Sequence, residues 1–126
     1  MQFYTIYFDT SIMKMNAEIL NVSAENSDEL DVEIKKILNA NGYEFLDYSD
    51  EIAILVDDQG LFKEGLPVFE VVSTYGDINK LAGKLVFVRN IENEFSTDIG
   101  SITIEDVLKL KEDLIIKLVG FTKGVF

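Results

Sequence analysis

The chain has 126 residues, 48% of them apolar and 27% charged, and its 23 acids against 11 bases leave a net charge of −12. That describes one globular domain, residues 1–126, with enough apolar surface for a core and no linker. Cysteine, histidine and tryptophan are absent, which excludes disulfides, thiolate metal sites, cysteine nucleophiles and a serine–histidine–acid triad.

Gln2 to Phe8 is aromatic and β-branched and predicts a strand. Met15 to Val22 predicts a second, joined to the first as a hairpin. Ser27 is an N-cap candidate followed by acids, and Leu30, Ile34, Ile37 and Leu38 recur at helical spacing. Asp31 and Lys35 make an i,i+4 pair, and Gly42 is the expected stop after Asn39 and Asn41.

Tyr43 to Tyr48 predicts a strand and Ser49-Asp50 a turn. The run Ile52 to Val56 predicts a central strand buried on both faces. Asp57-Asp58-Gln59-Gly60 reads as a turn in which Gly60 is free to take positive φ, with Leu61-Phe62 as a returning strand. Pro67, the one proline, marks a strand start or a loop before a short strand at Val68 to Ser73.

Tyr75 to Gly83 reads as a loop or a short helical turn, Lys84 to Val88 as a buried strand, and Arg89 to Asp98 as a polar loop. Thr103 with Asp106 resembles a capping box, and Ile104, Val107, Leu108 and Ile115 share one face of the helix that follows. Lys111 interrupts that face. Either it snorkels, or the helix ends near Asp113 and Leu114 to Val119 is a strand before the break at Gly120. The sum is an α+β fold of two helices and five to seven mostly antiparallel strands.

The N-terminus lacks the basic start and apolar core of a secretory signal, and no apolar run approaches the roughly 18 residues a membrane helix needs. A soluble, cytoplasmic protein is expected. The negative charge argues against direct nucleic-acid or membrane contact and for a protein partner, possibly a basic one.

The charge is unevenly placed. Residues 26–60 carry ten acids against Lys35 and Lys36, a net of −8. Asp28, Glu29, Asp31, Asp47, Asp50, Glu51, Asp57 and Asp58 form the expected acidic contact surface. Asp57 and Asp58 also end a buried strand, where a functional carboxylate could sit, although turn chemistry is the simpler expectation.

Asn90, Glu92, Asn93, Glu94 and Asp98 offer oxygen ligands, but EF-hand spacing is missing and a solvated loop is the simpler expectation. Gly83-Lys84 fails as a phosphate loop, with Ile78 and Leu85 at the positions that need glycine and a hydroxyl. Tyr43, Phe45, Tyr48, Phe62 and Phe69 are expected in the core, or as an exposed aromatic patch rimmed by acids. No catalytic residue, cofactor or metal site is assigned.

Tyr48-Ser49-Asp50, the apolar strand, Asp57-Asp58-Gln59-Gly60-Leu61 and Gly65-Leu66-Pro67 form one ordered set. Leu81-Ala82-Gly83, Leu85-Val86-Phe87-Val88 and Ser101-Ile102-Thr103 extend it. Over residues 43–114 this resembles the bacterial domain-of-unknown-function family 3846, small proteins of plasmids, phages and integrated elements. Val68-Phe69 stands where family members often carry an Asn. The resemblance implies an α+β fold and a mobile-element setting, and no catalytic residue.

The leading expectation is therefore a small accessory protein that binds another protein without catalysis. The alternatives are an acidic DNA mimic that blocks a nuclease or restriction system, and a carboxylate- or metal-dependent enzyme.

Overall fold

The computed structural model describes residues 1–92 and 97–123. Nine strands and two helices follow in the order β1 (Gln2–Asp9), β2 (Lys14–Asn21), α1 (Ser27–Leu38), β3 (Tyr43–Asp47), β4 (Ile52–Asp57), β5 (Glu64–Val72), β6 (Ile78–Ala82), β7 (Leu85–Glu92), β8 (Thr97–Gly100), α2 (Ile104–Asp113) and β9 (Ile115–Lys123). The class is α+β. Every strand pair among the described residues is antiparallel.

A six-stranded sheet has the order β2-β1-β7-β4-β3, with β8 also on β7, and a three-stranded sheet has the order β6-β5-β9. The large sheet is the middle layer. On one face Phe3, Ala53, Leu55, Val86 and Val88 pack against Ile34 and Leu38 of α1. On the other, Tyr4, Ile6, Ile54 and Phe87 pack against Phe69 and Leu81 of the small sheet and Val107 and Leu110 of α2. Successive residues of a strand point to opposite faces, so a strand in a middle layer must be apolar throughout. That is why β4 is buried at all six positions. Each large side chain removed from water here stabilises the fold by about 1.5–3 kcal/mol.

Helix α1 is capped by Asn26 rather than Ser27: the Asn26 side chain accepts from the Glu29 N–H at 2.9 Å. Its stop is Asn39, with φ 51°, ahead of Gly42. Asn tolerates the left-handed region because its short polar side chain bonds locally.

Several expectations are corrected. Leu61-Phe62 is not a strand but part of a 3₁₀ turn, Gly60–Phe62. Gly60 is buried and does not need positive φ; a Cβ there would meet the Ala82 carbonyl oxygen at 2.7 Å, so glycine is required for close approach. Pro67 lies inside β5, next to a register irregularity where no ladder N–H is needed.

Residues 78–82 form β6 rather than a loop, and the polar stretch from Arg89 continues β7 as far as Glu92, with β8 beginning at Thr97. Asn93 and Glu94 fall outside the described residues. Helix α2 ends at Asp113 and its place is taken by β9, which removes Ile115 from the helical face. Val107 and Leu110 are buried, whereas Ile104 and Leu108 are exposed and Lys111 points to solvent. No helix among the described residues is long and apolar enough to cross a membrane.

Candidate functional site: the acidic edge

Strand β3 is an outer strand, pairing with β4 alone among the described residues. Its side chains alternate. Tyr43, Phe45 and Asp47 share one face, and Glu44 and Leu46 the other. Leu46 closes onto the core and Tyr43 packs against the α1 layer. Phe45 stays 37% exposed, on the same face as the exposed acid Asp47.

The β3–β4 turn adds Asp50 and Glu51, both exposed. Ser49 shapes it: its hydroxyl oxygen accepts from the Glu51 N–H at 3.3 Å and the Ile52 N–H at 3.0 Å. Tyr75 donates its hydroxyl hydrogen to Asp50, and Asn90 donates to Asp47 at 3.4 Å. Glu51 lies 4.0 Å from Arg89. The hairpin end therefore gathers Asp47, Asp50 and Glu51.

The other expected residues sit elsewhere. Asp28 and Glu29 are exposed in the first turn of α1, where carboxylates complement the positive end of the helix. Asp31 pairs with Lys35 at 2.8 Å and accepts from Tyr43; the Lys35 bond first, then the Tyr43 bond, hold its carboxyl below the usual range. Asp58 lies beyond the far end of β4 and packs beside Gly42.

Asp57 leaves the surface altogether. Its side chain is 4% exposed and accepts from Lys63 at 2.5 Å, while its second oxygen accepts from the Gln59 N–H at 2.9 Å. It organises the turn, which is what Asp does at such positions.

The aromatic set divides. Tyr48 and Phe69 are core, Tyr43 is half-buried, and Phe45 and Phe62 are exposed. Sequence periodicity missed that Phe45 falls on an open edge, because edge and centre differ in pairing and not in local pattern.

A small pocket of about 60 Å³ is lined by Tyr48, Ser49, Glu51, Asp106, Lys109 and Asp113, among others. Burial pushes the Asp106 carboxyl up, but the Thr103 N–H, Arg89 and the Thr103 hydroxyl together hold it below the usual value. That keeps it ionised, the reverse of what a general acid needs. No group of three or more metal-binding side chains occurs among the described residues. Asn90 lies on β7 and Asp98 on β8.

The chain matches no protein-family model, no curated protein and no solved structure.

Proposed function

We propose that the chain is a non-catalytic accessory protein that binds a basic segment of another protein along β3 and the β3–β4 turn. The observation that carries this is Phe45, exposed on an open sheet edge beside Asp47 on the same face, with Asp50 and Glu51 at the end of the same hairpin. An open edge offers unpaired backbone groups to an extended segment, an aromatic supplies an anchor, and surrounding acids select cationic side chains. The resemblance to family 3846 adds the setting, an accessory protein of a mobile element.

Exposed acids also occur on β2 (Glu18) and on α2 (Glu105, Glu112 and Asp113), the opposite edge and the opposite layer. This dispersal favours a local protein contact over a continuous phosphate-like track, which needs roughly one charge per 1.7 Å.

The test is affinity capture from a nuclease-treated lysate, with the wild type beside an Asp47→Lys, Asp50→Lys, Glu51→Lys variant. A partner held by the wild type at low salt, released as salt rises and lost by the variant supports the proposal. Equal recovery by both proteins overturns it.

A further inference from the structure

The far end of the large sheet holds a cavity that the acidic edge does not use. Ile6 pairs with Leu85 and Leu55 with Val86. Continuing both ladders to Lys84 brings Tyr7, Lys84 and Asp57 into one row across β1, β7 and β4. The row lies on the face that α1 covers, two residues beyond Leu55 and Val86 of that core. The last turn of α1 and the β4–β5 connection border it, leaving a half-open cavity of about 290 Å³.

The charges inside do not cancel. Asp57 is occupied by Lys63 and by the Gln59 N–H. Lys84 holds its ammonium 5.1 Å from the centre of the Tyr7 ring, and it makes no ion pair among the described residues. Two lysines thus face one carboxylate, a local positive charge in a chain of net −12. The rest of the lining includes the apolar Ile37, Leu66 and Pro67 and the polar Asn39.

We infer that this cavity binds a small organic anion with a flat apolar body. Its charged group meets Lys84 and its body lies against Ile37, Leu66 and Pro67. A cation would be repelled by Lys63 and Lys84. A neutral apolar molecule would strip water from Lys84 and return no partner. The volume of about 290 Å³ falls just below the usual range of ligand cavities, roughly 300–1,000 Å³, and suits a one- or two-ring carboxylate.

The test uses the full chain, isotope-labelled, with 2-naphthoate as probe and 2-naphthamide as its neutral counterpart. The expected result is saturable shifts of the Tyr7, Leu66 and Lys84 amide signals with 2-naphthoate, and about tenfold weaker binding of the amide. Lys84→Met should remove the preference for the acid, and Lys84→Arg should restore it. Equal binding of acid and amide to the wild type, shifts mapping elsewhere, or no saturation at millimolar probe each overturn the inference. The wild-type comparison decides even if a variant fails to fold.

Discussion

Arg89 on β7 holds Asp106 on α2 with two hydrogen bonds, 2.8 Å from Nη2 and 3.2 Å from Nε. The same carboxylate accepts from the Thr103 N–H at 3.0 Å, while the Thr103 hydroxyl oxygen accepts from the Asp106 N–H at 3.1 Å. One side chain therefore closes the capping box and ties the helix start to the large sheet. Asp106→Asn should destabilise the fold by about 2–3 kcal/mol in urea unfolding, combining a lost cap with a lost charge-assisted pair.

The Asp106 pair also sets a pH dependence. Its folded pKa lies below the ordinary 3.8, so near and below that value the unfolded chain binds the proton first. The stabilisation is complete above the unfolded value and is lost as pH falls through 3.8 toward the folded pKa. Acid unfolding of the wild type should show this contribution, and Asp106→Asn should flatten it.

Tyr43 titrates in the opposite range. Burial first, then its bond to Asp31 and the charge of Asp31, push its hydroxyl up to about 12. The folded state keeps a proton that the unfolded chain releases from about pH 10, so stability falls as pH rises across that window. Absorbance titration of the five tyrosines should contain a late phase near 12 that Tyr43→Phe removes. Asp31→Asn should bring the same phase down.

Phe87 is fully buried and meets Tyr4 and Tyr48 at ring-centre distances of 6.1 Å and 6.2 Å. Phe87→Ala should cost about 3–5 kcal/mol, enough to unfold much of a marginal domain. Phe87→Leu should cost less, and thermal denaturation should rank the two.

Gly60→Ala should cost about 1–3 kcal/mol, because its Cβ would meet the Ala82 carbonyl oxygen at 2.7 Å and backbone cannot swing aside as a side-chain tip does. A loss under about 0.5 kcal/mol in urea unfolding would contradict this account of the turn.

The elements legible in the sequence are those whose local pattern matches their burial. The helical spacing of Leu30, Ile34 and Leu38 places α1, and the uninterrupted Ile52–Val56 places β4. Strand β6 was not legible: Asn79, Lys80 and Ala82 are poor strand formers, and the segment is held by its pairing with β5. The end of α2 was visible at Lys111 as a conflict. It resolves because Ile115–Ile116 pairs with Val72–Val71. The site was legible as charge but not as place. Asp47, Asp50 and Glu51 meet through one hairpin, whereas Asp57 turns inward toward Lys63, six residues on. The row of Tyr7, Lys84 and Asp57 comes from register between distant strands, which no local window contains.

Strand β7 pairs with β1, β4 and β8. The β1–β2, β3–β4 and β5–β6 pairings are each between neighbours in sequence, and hairpins of that kind close in roughly 1–10 μs. The β1–β7, β4–β7 and β5–β9 pairings join them across long stretches of chain. Contacts far apart in sequence close more slowly than local ones, so these three pairings form after the hairpins. Until then the hairpins expose the edges that β7 covers in the folded chain, and a net charge of −12 on every copy opposes their pairing with one another.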